Sequence, residues 1–356
     1  MKPKGFLQAK KFYQTGMHCV VSRSHKEERL YMNKTMLAIL KVLDKRPEKI
    51  LGSREISRAL KLYGIELTER TVRYHLRILD ERGFTKVFGK EGRMITPKGK
   101  EELSQASVSE KVGFIISKIE TLSYLTNLDL EKNTGDIILN VSYFPEEKLK
   151  ETFQIMKPVF LSPYVMSDKV VLKGAGEKIG NIPVPKGQVG FGTVCSVTIN
   201  GIFLKAGIPV ISKFGGVLQI EDSEALRFTA LISYEGSSLD PLEIFIRSKM
   251  TDITGAVRNQ SGKILASFRE LPVVSLKKAE EISHELREKG IRGILLIGNP
   301  NQPLLEMPVG LDRAGMVIVG GLNPIAAVEE AGIATVTKAM STLHAFIDLM
   351  PFKELL

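Results

Sequence analysis

The chain has 356 residues, 43% of them hydrophobic and 25% charged, and carries a formal net charge of +10. That is enough apolar material for more than one core, yet nothing approaches the uninterrupted apolar run of about 20 residues that a membrane span requires. No charged-then-apolar leader opens the chain. Two cysteines, Cys19 and Cys195, exclude a disulfide framework and a four-cysteine metal site. A cytoplasmic protein with no membrane partner is expected.

The positive charge is not spread evenly. Residues 1–110 hold 24 Lys+Arg against 13 Asp+Glu, whereas residues 111–356 hold 26 against 27. A cationic front joined to a neutral body is the pattern of a polyanion-binding module attached to another domain. Residues 1–32 bring Lys2, Lys4, Lys10, Lys11, Arg23, Lys26 and Arg29 with little hydrophobic periodicity, and are expected to be a loose basic arm. His18, Cys19 and His25 match no standard metal-ligand spacing, so no metal site is assigned.

Residues 33–104 read as a winged helix. "NKTMLAILKVLDK" sets Met36, Leu37, Leu40 and Leu43 on one stripe. "SREISRALKLYG" is expected to be capped by Ser53, to bury Ile56 and Leu60 and to stop at Gly64. After the short turn "GIEL" comes "TERTVRYHLRILDERG", with Thr68 as cap and Gly83 at the end. At about 100° per residue, Arg70, Arg73, Tyr74 and Arg77 share one side of this third helix and Val72, Leu76 and Leu79 the other. Helix, turn, capped basic helix is the helix-turn-helix order, and "FTKVF", "GKEG", "RMIT" supply a hairpin wing. The candidate DNA-contacting residues are Arg70, Thr71, Arg73, Tyr74 and Arg77 in the helix, with Lys86, Lys90 and Arg93 around the wing tip. His75 lies at the border of the two faces.

Residues 105–126 should form a connecting helix, with Val112, Ile115, Ile116, Ile119 and Leu122 at helical spacing and an exposed stripe suited to a dimer contact. Residues 127–356 alternate β-rich runs ("DIILNVSYF", "ALRFTALISYE", "RGILLIG", "GMVIVGG") with helical ones such as "PEEKLKETFQIM". The expected fold class is therefore mixed α/β, a winged helix-turn-helix followed by an α/β effector domain.

That second domain contains an internal repeat, residues 185–213 against 308–338. "PKGQVGFGTVCSVTIN" and "PVGLDRAGMVIVGGLN" align Pro185, Gly187, Gly192 and Asn200 with Pro308, Gly310, Gly315 and Asn323, and "AGIPVISK" then matches "AGIATVTK". The copies differ in polarity: Thr193, Cys195, Ser196 and Thr198 stand against Met316, Ile318, Val319 and Gly321. A small-anion site is therefore expected at Gly192, Thr193, Cys195, Ser196, Thr198, Asn200 and Lys213, with Asn200-Gly201 opening a helix. "GGLNPIAAVEEAG" offers a second candidate anion nest at a helix start marked by Pro324.

The stretches "TERTVRYHLRILDERGF", "SEKVGFIISKIE", "GFGTVCSVTINGIFLKAGIPVISKFGGVLQI" and "GMVIVGGLNPIAAVEEAGI" resemble the archaeal nitrogen-regulatory repressor family over roughly Asn33 to Met350. The resemblance implies a dimeric repressor that binds palindromic operators of nitrogen-assimilation genes and is released by 2-oxoglutarate. It implies no cofactor beyond that effector, and leaves room for a second regulatory protein. Arg247, Arg258 and Arg313 are open candidates for the distal carboxylate. The alternative reading is an enzyme acting on a small carboxylic acid with an attached winged helix, but Cys195 has only His284 or His344 as partners in the body, and no catalytic motif is present.

Overall fold

The computed structural model describes residues 34–46, 49–61, 64–105 and 113–356. The basic arm, His18, Cys19 and His25 lie outside the described residues. The chain divides into two compact units, residues 1–108 and 109–356.

In the first unit, α1 (Lys34–Asp44), α2 (Ser53–Leu60) and α3 (Glu69–Glu81) enclose a small core in which Leu40, Leu43, Ile56, Leu60, Val72 and Leu76 are buried. Thr68 caps α3 by accepting from the Thr71 N–H at 3.2 Å, and Gly83 takes a positive φ of 73° just beyond it. Gly52, not Ser53, is the N-cap of α2; the Ser53 hydroxyl instead donates to Glu69 across the turn at 3.1 Å. The wing is the antiparallel pair β1 (Thr85–Phe88) and β2 (Gly92–Ile95), followed by α4 (Pro97–Gln105). Gly99 lies where a Cβ would sit 2.2 Å from the Phe84 carbonyl, so only glycine lets α4 approach the wing so closely.

The first described helix of the second unit is α5 (Phe114–Leu125), and the unit is built from two copies of one pattern. The first copy is β3 (Asp136–Pro145), α6 (Leu149–Phe160), β4 (Lys169–Lys173), β7 (Gln188–Val194), α7 (Val197–Lys205) and β8 (Ile211–Glu221), with a two-residue pair β5 (Lys178–Ile179) and β6 (Ile182–Pro183) inserted before β7. β9 (Glu224–Ser233), α8 (Pro241–Arg247) and α9 (Ile253–Arg258) follow. The second copy is β10 (Gly262–Pro272), α10 (Leu276–Glu288), β11 (Ile294–Ile297), β12 (Arg313–Val319), α11 (Asn323–Glu330) and β13 (Val336–Ala345), and β14 (Met350–Pro351) is the last strand.

Each copy is a split β-α-β arrangement, but the copies exchange their last strands. The sheet orders are β13-β3-β7-β4-β14 and β11-β12-β10-β8-β9, every pairing antiparallel. Thus β8 leaves the first copy to pair with β10, and β13 returns from the second to pair with β3. One apolar core runs through both sheets, because neither copy can complete a sheet alone.

Strand register fixes which residues correspond. Val194 faces Leu139 in one sheet and Val319 faces Ala266 in the other; Ser212 faces Arg269 where Thr337 faces Ser142. This places the match of "AGIPVISK" with "AGIATVTK" in register and corrects the match before it. Gly192 corresponds to Val317, Thr198 to Asn323 and Asn200 to Ile325, not Gly192 to Gly315 and Asn200 to Asn323. The P-x-G motifs precede the paired strands, and their glycines do not mark equivalent places in the sheets.

Candidate functional site

On the winged-helix unit, Arg70, Arg73, Tyr74 and Arg77 are exposed on the face of α3 opposite Val72, Leu76 and Leu79, with Tyr74 55% accessible. Thr71 is half-buried and tied to Thr68 by its hydroxyl (2.9 Å). Arg73 approaches Glu69 at 3.6 Å and Arg77 approaches Glu81 at 4.0 Å, both i,i+4 pairs at the surface. Such pairs are worth little, so these guanidiniums can be given up to another anion. Arg54, which the sequence reading missed, reaches the same Glu69 at 3.7 Å from α2. Lys86 and Lys90 are exposed on the wing.

Arg93 departs from the expectation. Its Nε donates to Asp80 at 2.8 Å with both side chains largely buried, and Thr85 shares the same carboxylate. Arg93 therefore clamps the wing to α3 and is not a free surface cation. His75 is half-buried, its Nδ1 has no hydrogen-bond partner among the described residues, and burial holds its pKa below the usual value.

In the second unit the expected effector set does not line one cavity. Gly192, Thr193, Cys195, Ser196 and Thr198 are buried in packing. A Cβ on Gly192 would meet Leu139 and Val171 at 3.2 and 3.3 Å. Thr193 accepts from Asn140 at 3.4 Å, and the Thr198 hydroxyl bonds both the N–H and the carbonyl of Ile138. Burial pushes the Cys195 thiol up to about 11, which leaves almost no thiolate at neutral pH. In this run the Thr198 hydroxyl satisfies buried backbone, whereas the Thr193 and Ser196 hydroxyls accept from the side chains of Asn140 and Arg269. Asn200 and Gly201 lie inside α7 rather than at its start. The second expected nest is likewise filled, since Asn323 is spent on the backbone of Leu265 and Tyr164.

Asn200 and Lys213 do line a common space. A cleft of about 680 Å³ opens between α5, α7 and the start of β8, walled by Ile116, Ile119, Leu204, Val210 and Phe214, with Asn200, Ser212 and Lys213 as polar groups and Glu120 and Glu235 also present. Arg247, Arg258 and Arg313 are not in its lining. Behind it stands a residue the sequence reading overlooked. Arg269 on β10 is 1% exposed and donates to the Ser196 carbonyl (3.0 Å), to the Ser196 hydroxyl (2.9 Å) and to Asn200 Oδ1. Its Nε–H has no acceptor among the described residues. Burial pulls its pKa down to about 10, so it remains charged at neutral pH. Nearby, Tyr234 is held protonated by burial, and Asp240, buried and close to Glu243, is raised to about 6.

Comparison with known proteins matches both units. A family model described as NrpR regulatory domains NRD1 and 2 fits residues 112–350, and one described as the ribonuclease R winged-helix domain fits residues 37–103. The chain is 36% identical over 324 residues to the global nitrogen regulator NrpRI of Methanosarcina mazei, covering 91% of this chain and 98% of that protein. It is 33% identical to the global nitrogen regulator NrpR of Methanococcus maripaludis, over 82% of this chain and 51% of the relative. With the NrpR of Methanocaldococcus jannaschii the figures are 31%, 91% and 56%, so the chain spans about half the length of these two. A crystal structure of a nitrogen repressor-like protein from Methanococcus jannaschii superimposes with a TM-score of 0.57 at 32% identity, covering 68% of this chain and 98% of the other.

Proposed function

Because the chain belongs to the NrpR family of global nitrogen regulators, we propose that it is a cytoplasmic transcriptional repressor of nitrogen-assimilation genes. It binds operator DNA through the winged helix and is released by 2-oxoglutarate. The observation that carries this reading is the exposed face of α3, where Arg70, Arg73, Tyr74 and Arg77 stand together on a capped helix. Arginines on such a face pair with guanine edges or phosphates in a major groove.

The effector enters the cleft between α5 and α7. Among the described residues α5 is the first helix after the winged-helix unit, so a ligand that favours one placement of α5 biases the segment joining reader to sensor. A coupling of about 1–3 kcal/mol changes operator affinity roughly 5- to 150-fold. The chain acts as a homodimer on palindromic sites, and a second regulatory protein is an additional partner. No catalysis is assigned, since Cys195 is buried with its thiol protonated.

Gel-shift titration of the full chain on DNA from a nitrogen-assimilation promoter tests this. Binding should require the palindrome and weaken on addition of 2-oxoglutarate. Equal affinity for scrambled DNA, or no response to the acid, would reject it.

A further inference from the structure

The duplicated body contains its own control for the cleft. Register makes Arg269 the counterpart of Ser142, Ser212 that of Thr337 and Asn200 that of Ile325. At the Ser142–Thr337 position the facing groups are uncharged hydroxyls that bond one another. Thr337 donates to Ser142 at 2.9 Å, and the neighbouring Thr335 donates to the Glu329 carboxylate at 2.7 Å. In the second position a buried guanidinium replaces the serine, and none of the three acceptors it reaches is a carboxylate. Buried charges are as a rule paired, so this asymmetry between otherwise matched halves calls for a counter-charge.

The hydrogen bonds show where that charge would sit. Arginine cannot accept, so Asn200 must turn Oδ1 toward Arg269 and its amide N–H away. That N–H donates to Ser212 Oγ at 3.0 Å. With Oγ already accepting, the Ser212 O–H is left to donate, and Ser212 lines the cleft next to Lys213. Glu120 and Glu235 also line it, so Lys213 alone would leave the lining net negative and hostile to an anion.

We propose that Arg269 is the positioning charge of an anion site: acting through Asn200, it presents the Ser212 hydroxyl to the cleft, where that hydroxyl and the Lys213 ammonium hold one carboxylate of a small organic acid. The apolar wall of Ile116, Ile119 and Leu204 takes the methylene chain. The inference rests on the effector reading above and names the chemistry of that site.

The test is calorimetric titration of the full chain with 2-oxoglutarate, glutarate, malate and citrate. The wild type is compared with Lys213→Met, Ser212→Ala, Arg269→Lys and Arg269→Gln, the fold of each variant being checked by its thermal transition. Lys213→Met and Ser212→Ala, on the cleft wall, should each weaken binding tenfold or more. Arg269→Gln should do the same, and Arg269→Lys, which keeps the charge, should recover at least part of the loss; a purely structural arginine would show no such dependence on charge. If the wild type binds 2-oxoglutarate but Lys213→Met and Ser212→Ala bind it within threefold of the wild type, the site is wrong while the regulatory function stands. If another acid of the panel binds with this variant dependence and 2-oxoglutarate does not, the site stands and the effector assignment falls. Binding of no acid overturns the proposal.

Discussion

Thr198 and Asn323 occupy the same place in the two halves of the body and do the same work with different side chains. The Thr198 hydroxyl bonds the N–H and carbonyl of Ile138 at 3.2 and 3.3 Å; the Asn323 amide bonds the N–H and carbonyl of Leu265 at 2.9 and 3.2 Å. Just before each helix, the Cys195 N–H reaches the Ile138 carbonyl and the Gly320 N–H that of Leu265. Each helix is thus pinned to a central strand of its own copy immediately before the chain crosses to the other sheet. The strand exchange is held by these pins as well as by the ladders of β8 with β10 and β13 with β3.

Asn323 is the more heavily committed of the pair, since its amide also reaches the Tyr164 carbonyl at 2.9 Å. Removing one member of a buried polar set leaves the others unsatisfied, at about 1–3 kcal/mol per group. Asn323→Ala should therefore destabilise the protein by roughly 3 kcal/mol or more, against about 1–2 kcal/mol for Thr198→Val, as read from urea midpoints. Equal losses would show that the two pins are not differently loaded.

The winged helix was largely legible in the sequence because its signals are local. Thr68, Gly83 and the spacing of Val72, Leu76 and Leu79 place α3 without knowledge of distant residues. Short β-rich runs likewise located β3, β9, β11 and β12. Fate at long range was not legible. That Arg93 turns to Asp80 depends on how the wing folds back, and that Thr193 to Thr198 is sealed depends on the exchanged strands. Similar glycine motifs set the repeat two residues out of step, which hid the equivalence of Thr198 and Asn323. One signal for the cleft was available: Arg269 interrupts the apolar run "ILASFREL", and an arginine inside a central strand is unusual enough to mark a site.

The divided roles on the winged helix predict different phenotypes. Arg77→Ala should cost about 1–3 kcal/mol of operator affinity if the side chain reads a base. Lys90→Ala should weaken all DNA alike and lower the salt dependence by roughly one ion. Arg93→Ala should instead lower the thermal stability of the winged-helix unit by about 1–2 kcal/mol, because Asp80 loses its partner in a half-buried setting. Fluorescence anisotropy at several salt concentrations, with calorimetry of the full chain, separates the three. An Arg93 variant of unchanged stability but lost DNA affinity would return that residue to the interface.

Gly201 sets how closely α5 lies on α7. A Cβ there would fall 2.4 Å from Thr126 Cβ and 2.8 Å from the Ser123 carbonyl, so α5 would have to move. Gly201→Ala should cost about 1–3 kcal/mol by overpacking and should also weaken 2-oxoglutarate binding, since α5 walls the cleft. Gly207→Ala is the control: its Cβ meets nothing within 4 Å among the described residues, and only the φ of 81° is strained, so a loss of about 1 kcal/mol with effector binding intact is expected. Equal effects of the two on binding would detach α5 from the effector site.

Asp240 provides a pH dependence of known sign. Its carboxylate caps α8 through the N–H groups of Leu242 and Glu243, yet burial, with Glu243 close by, raises its pKa from 3.8 to about 6. Between these values the folded chain binds a proton that the unfolded chain does not. The contribution of Asp240 is therefore greatest below pH 4, declines as pH rises toward 6, and is lost above it. Asparagine caps helices as well as aspartate does and carries no charge, so Asp240→Asn should be more stable than the wild type at pH 7, by about 1–3 kcal/mol, with the gap closing toward pH 4. Paired urea titrations at pH 4, 5, 6 and 7 measure that gap directly. A gap that is constant, or that widens as pH falls, would mean that Asp240 ionises in the folded chain at least as easily as in the unfolded one.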